Sequence, residues 1–258
     1  MFRFFVSIAR TLKLLAIFAY AAIELIVKRP STRPQRAQWL HQFAARATRQ
    51  MRLAVRQLGP YPARGAIISN HLGYLDIVAF AALHPCIFVS KSEVRRWPIL
   101  GWMTTTAGTV YVERGRAGSA LSAGSAIQTA AGEGLPVVFF PEGTTTKGET
   151  IRKFHSGLLS QAVATNLPIT AAHIAYRLTR NNGPHITAVN TVCFWDDTPL
   201  LVHIFRLLAV RGIEVEVCFA DSPIDFSNSG TNRKQAATEA RAAVIRLRPA
   251  AQPDPDMP

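Results

Sequence analysis

The chain has 258 residues, of which 48% are apolar and 17% charged, with a formal net charge of +13. That length holds one sizeable α/β core and excludes a pair of equal domains, and the balance is greasier than that of a freely diffusing enzyme. Three cysteines, Cys86, Cys193 and Cys218, lie scattered in apolar runs without C-x-x-C spacing, which reads as buried thiols in a reducing compartment and excludes a structural zinc site.

The charge is uneven. Up to residue 75 there are twelve Lys/Arg against one acid, Glu24, so this stretch holds +11 of the +13. Such asymmetry points to a polyanionic partner. No zinc-finger spacing or RRM-type aromatic motif accompanies it, so an anionic membrane face is favoured over nucleic acid. Residues 2–27 are mostly apolar but interrupted by Arg3, Arg10, Lys13 and Glu24. Their longest uncharged run, residues 14–23, is about half of the ~20 residues a spanning helix needs. Three readings fit: a signal peptide cut near Ala19-Tyr20-Ala21, a tilted span, or a helix lying in the interface with its Arg and Lys reaching for headgroups. In either membrane reading Lys28, Arg29, Arg33 and Arg36 stand on the cytoplasmic side. Residues 35–58 carry the helical spacing Trp39, Phe43, Ala47, Met51, Ala54, Leu58. They read as a helix packed on the core or as a second membrane-facing helix paired with the first.

From Gly65 onward, β-branched runs alternate with helix-like stretches. The runs are AIIS (66–69), CIFVSK (86–91), GTVYVER (108–114), PVVFF (136–140), PITAAHIAY (168–176), ITAVNTVCF (186–194) and IEVEVCF (213–219). Helical stretches at 76–83, 98–106, 117–131 and 157–164 separate the first five. This alternation predicts an α/β fold, a largely parallel or mixed sheet flanked by helices. Residues 229–247 read as a terminal helix and 248–258 as a frayed tail. The stretch ALSAG (120–124) mimics a nucleophile elbow, but it lacks the preceding strand and first glycine that such a turn requires.

Polar residues close the first four runs. The first ends in Asn70-His71, the second in Lys91, the third in Glu113-Arg114 and the fourth in Pro141-Glu142-Gly143-Thr144. Parallel strands would gather these at one sheet edge, where α/β proteins bind ligands. Asp76, in the first turn of a helix after His71, would accept the Nδ1 proton and leave Nε2 as a base. No Ser or Cys in these motifs has the context of an enzyme nucleophile. The nucleophile would then come from a substrate, such as an alcohol activated for direct acyl transfer from a thioester.

These residues carry a family resemblance. NHLGYLD (70–76) resembles the Asn-His-x4-Asp motif of the membrane glycerolipid acyltransferases. VSKSEVRRWPILGWMTTTAGTVYVER (89–114), FPEGTTTKG (140–148) and LPITAAHIAY (167–176) resemble that family's following blocks, in the same order. The resemblance implies His71 as general base and Asp76 as its orienting partner. It implies a substrate-binding set of Asn70, Lys91, Arg114, Glu142, Gly143, Thr144, Thr145 and Lys147, with Lys91 and Arg114 toward an acceptor phosphate. Two positions depart from the family pattern. Thr145 stands where members that form phosphatidic acid carry Arg, and Ala171 stands for a second proline.

The resulting expectation is an enzyme without metal or organic cofactor. Residues 1–58 form basic, apolar membrane-associated helices, 59–247 the acyltransferase domain and 248–258 the tail. Acyl-CoA or acyl carrier protein is the donor, and the acceptor is a lyso-lipid, first 1-acyl-sn-glycerol-3-phosphate, with lyso-ornithine lipid or a lysophospholipid as the alternative. The place of action is the cytoplasmic face of a bacterial-type inner membrane. A non-catalytic basic membrane-binding protein is the competing class, and the two separate on whether His71, Asp76, Lys91, Arg114 and Glu142 share one cleft.

Overall fold

A computed structural model describes residues 2–97, 100–113, 118–227 and 232–249. Two helices lead, α1 (Phe2–Lys28) and α2 (Arg33–Met51), followed by strands β1 (Leu53–Leu58) and β2 (Ala66–Ile68). Then come α3 (Tyr74–Leu83), β3 (Ile87–Lys91), a 3₁₀ turn (Ser92–Arg96), α4 (Leu100–Thr106), β4 (Val110–Val112), α5 (Ser119–Gly132) and β5 (Val137–Phe139). The chain continues through α6 (Ser156–Ala164), β6 (Ile169–Leu178), α7 (Ala188–Thr191), α8 (Leu200–Leu207), β7 (Ile213–Phe219) and α9 (Arg233–Arg246).

The seven strands lie in the order β1-β7-β6-β2-β5-β3-β4. The five from β6 to β4 are parallel, β7 is antiparallel to β6, and β1 is parallel to β7. The sheet is therefore mixed, as the alternation predicts. Successive residues of a strand serve opposite faces. Ile67 packs with α1, α2, α3 and α8, whereas Ala66 and Ile68 pack with α6 and α9. All three residues of β2 are shielded on both faces, which is why this strand reads as a continuous apolar run.

Two segments differ from expectation. The helix predicted over 35–58 stops at Met51, because Arg52 turns left-handed (φ 54°) and Leu53–Leu58 pairs residue by residue with Ile213–Cys218. Pairing with a distant strand overrides local helical spacing. The run 186–194 is not a strand: a capping box between Thr187 and Asn190 starts the short α7, and the place beside β6 belongs to β7. The proposed tail from residue 250 onward lies outside the described residues.

Of the two readings of α2, the structure has the packed helix. Thr32 and Gln35 cap its start, and Trp39, Phe43, Ala47 and Met51 are buried. Two of the charges that interrupt α1 also point inward. Glu24 pairs with Arg46 of α2 and, at 2.8 Å, with Lys28. Arg10 donates to the carbonyls of Leu208 and Val210 (2.7 and 2.6 Å), just past the end of α8, rather than reaching for headgroups. The span Phe4–Lys28 is nevertheless long and apolar enough to cross a bilayer, with mean hydropathy 1.6.

His173 on β6 is 5% exposed, and burial first, then Arg248, lowers its pKa from 6.5 to about 4. The unfolded chain therefore takes up a proton at this residue, as pH falls from about 6.5, before the native chain does. Stability contributed by neutral His173 is complete above 6.5 and is lost as pH falls towards 4. Denaturant unfolding at about pH 7 and about pH 4.5 should give a wild-type loss that exceeds the His173→Asn loss by roughly 2–3 kcal/mol. Equal losses in the two proteins would refute this assignment.

Candidate active site

The adjacency of β2 and β5 creates the site. Their carboxyl ends place Ser69-Asn70-His71 beside Phe140-Pro141-Glu142. β6 runs on past the end of β2, and Asn70 bridges the two. Its side chain donates to the Ile174 carbonyl (2.9 Å) and accepts from the Ile174 N–H (2.8 Å). Those contacts extend the ladder by one rung. The Asn70 side chain thus faces the protein and ties the histidine loop to β6.

His71 leads into α3, and Asp76 sits in the first turn of that helix. Asp76 is fully buried, and its carboxylate is densely bonded. Oδ2 lies 2.7 Å from His71 Nδ1 and accepts from the N–H groups of Leu72 (2.6 Å) and Gly73 (3.1 Å). Oδ1 accepts from the Tyr176 hydroxyl at 2.6 Å. A carboxylate in this setting is an acceptor, so Nδ1 carries the proton and Nε2 is left with its lone pair. Phe140 stacks on the imidazole with ring centroids 4.1 Å apart and planes 9° from parallel, holding the ring in place. The His71 side chain stays 18% exposed, open to a reactant.

Glu142 accepts from the His71 N–H and the Arg152 N–H, both at 2.8 Å. It is 2% exposed, and burial raises its pKa despite those two bonds. Glu142 thereby ties the histidine loop to the loop after β5. Gly143 takes φ 68°, a left-handed turn that favours glycine, so the chain reverses after Phe140. Thr146 N–H then donates to the His71 carbonyl (2.9 Å), drawing residues 144–147 alongside the histidine.

Thr145 and Lys147 line a cavity of about 240 Å³ together with Thr146, Glu149, Arg152 and Trp195. Lys147 Nζ stands 4.2 Å above the Trp195 ring, a cation–π contact. Thr144 is half-buried at the start of this loop. Lys91 closes β3 at the same sheet edge, two strands from β2. Arg114 lies outside the described residues.

Cys193 is buried near Asp76, and its pKa is pushed up to about 12 by burial and then by that carboxylate. A thiol in that state is no nucleophile at neutral pH. Four side chains at the site went unread in the sequence: Tyr176, Phe140, Trp195 and Arg152. Tyr176 and Phe140 end strand runs that had been read only as apolar. Trp195 is partly exposed, and the polar Asp196-Asp197-Thr198 that follows it is the signal the sequence offers.

Comparison with known proteins identifies the family. The family model described as Acyltransferase matches residues 30–175. The chain belongs to the acyltransferase family. It is 33% identical over 82% of its length to a Pseudomonas aeruginosa protein named lyso-ornithine lipid O-acyltransferase, covering 78% of that relative. A Neisseria gonorrhoeae protein named 1-acyl-sn-glycerol-3-phosphate acyltransferase is 28% identical over 66% of each chain. The fold of this acyltransferase matches that of PlsC, the 1-acyl-sn-glycerophosphate acyltransferase of Thermotoga maritima. The TM-score is 0.59 at 18% identity, over 95% of this chain and 99% of that one.

Proposed function

We propose that this acyltransferase moves a fatty acyl group from acyl-CoA or acyl carrier protein to the hydroxyl of a lyso-lipid, with lyso-ornithine lipid as preferred acceptor. The observation that carries the chemistry is His71, held through Nδ1 by Asp76 at 2.7 Å with its side chain 18% exposed. Nε2 takes the proton of the acceptor hydroxyl as its oxygen attacks the thioester carbonyl. The tetrahedral intermediate collapses with cleavage of the C–S bond, and the proton passes from His71 to the leaving thiol. α1 mounts the enzyme on an anionic cytoplasmic membrane face.

The acceptor assignment rests on the loop beside His71. It places lyso-ornithine lipid ahead of 1-acyl-sn-glycerol-3-phosphate, the acceptor the sequence alone puts first. Thr145 removes the bidentate guanidinium that suits a phosphate monoester. The adjoining cavity carries both signs of charge, Lys147 and Arg152 against Glu149, which suits a headgroup with a carboxylate and an ammonium. The name of the Pseudomonas relative supports the same choice. Lysophosphatidate is the second reading, favoured by Lys147 and by the name of the Neisseria relative.

Specificity constants for the two acceptors, in wild type and in Thr145→Arg, test the choice. Charge-assisted hydrogen bonds contribute roughly 1.5–3 kcal/mol each. Thr145→Arg should therefore shift the ratio toward lysophosphatidate by at least about tenfold, chiefly through KM. A wild type that already prefers lysophosphatidate by about a thousandfold, unmoved by the substitution, would show that Thr145 does not set the acceptor.

A further inference from the structure

The segment between the site and α8 has a face that catalysis leaves unexplained. Leu201 and Val202 on α8 are 79% and 41% exposed, although α8 is an apolar helix packed on the core through His203 and Leu207. α8 also packs on α1. Phe4 meets Phe205 edge-on with centroids 5.8 Å apart, and Ser7 Oγ donates to the Phe205 carbonyl (3.0 Å). Further along, Arg10 reaches Leu208 and Val210. The contacts advance in the same direction on both helices. Leu201, one turn before Phe205, therefore continues the ridge about 6 Å past Phe4.

On α1 the exposed apolar side chains include Phe4, Phe5, Ile8, Leu12 and Leu15, spaced along one flank. α2 turns its large apolar side chains into the core, so α8, not α2, enlarges this surface. The charge around it is basic. Lys13 and Arg206 are exposed, α8 carries no acid, and the acid of α1, Glu24, is paired internally. The exposed Asp196 and Asp197 precede α8 in the approach loop. The same segment is tied to the catalytic corner. The Phe194 N–H donates to the Leu72 carbonyl (2.8 Å), and His203 Nδ1 lies 3.0 Å from the Tyr74 hydroxyl.

We infer that the exposed ridge of α8, Leu201 and Val202, is a second membrane-embedded element, inserted with α1 into the interfacial layer of an anionic leaflet. An apolar strip bordered by cations is the composition that such a layer binds. Insertion would hold the Lys147–Trp195 mouth at headgroup level, with Asp196 and Asp197 toward water and headgroup amines. An acceptor would then reach His71 without its acyl chain leaving the bilayer. This inference rests on the membrane mounting proposed for α1.

The test uses the full-length chain with Leu201→Cys in a Cys218→Ser background, Cys86 and Cys193 being buried. The new thiol carries a polarity-sensitive fluorophore, and the protein is reconstituted in phosphatidylglycerol–phosphatidylethanolamine vesicles. Val202→Cys gives an independent position, and Leu121→Cys, exposed on α5, serves as the control. Emission at 201 and 202 should shift to the blue, rise about threefold and be quenched by acyl-brominated lipid, while 121 stays solvent-like. Solvent-like emission at both positions on protein that floats with the vesicles would overturn the α8 assignment and leave the α1 mount standing. A rise that follows protein concentration instead of lipid would overturn it in favour of a second copy on this face. Failure of the unmodified chain to float would instead sink the α1 mount, and the α8 inference with it.

Discussion

Replacing His71 with alanine is expected to lower transfer by about 10²–10⁴-fold, the contribution of a positioned general base. The loss should appear in kcat with little change in KM, because the imidazole acts on the proton in flight and not on the bound ground state. The fold should survive. His71 is partly exposed, its ring lies against Phe140, and the bonds that organise the loop are made by its backbone N–H and carbonyl. Circular dichroism and the unfolding midpoint should therefore stay near wild type while steady-state transfer collapses. A purified, folded His71→Ala protein that keeps more than about a tenth of wild-type turnover would remove His71 from the role of base.

Asp76→Asn is expected to cost about 10²-fold or more in kcat while leaving the fold in place. The amide is isosteric. Its oxygen can take the place of Oδ2, where His71 and the Leu72 and Gly73 N–H groups converge, and its NH₂ can face the Tyr176 hydroxyl, which can accept as well as donate. What disappears is the negative charge that, in the proposed mechanism, stabilises the imidazolium formed when His71 takes the acceptor's proton. Tyr176→Phe makes the complementary change: the charge stays and one buried donor is lost. It should reduce turnover less than Asp76→Asn. If Asp76→Asn retained near-full kcat, or Tyr176→Phe proved the more damaging of the two, charge support of His71 through Asp76 would be the wrong account.

The alternation of strands and helices, the parallel set from β6 to β4 and the His71–Asp76 pair were all legible in the sequence. Each follows from local rules: period-two and helical spacing, and a carboxylate in the first turn of a helix five residues from its partner. The support beneath the histidine was not legible. Glu142 reaches the His71 amide across 71 residues, Tyr176 reaches Asp76 across 100, and Asn70 reaches Ile174 across 104. No periodicity encodes pairs so distant.

The same limit explains the elements that were misread. Residues 53–58 carry helical spacing, yet the backbone partners offered by β7 outweigh a weak local preference, and the segment becomes an edge strand. The polar positions of α1 were legible as interruptions of an apolar helix. Whether each faces lipid or protein was decided only when α2 and α8 packed against it, giving Glu24 its arginine and Arg10 its two carbonyls. Local patterning thus determined the chemistry available to this chain. Long-range packing decided which side chains hold the histidine, which close the loops and which remain exposed, because a buried polar group settles wherever the folded chain supplies its partner.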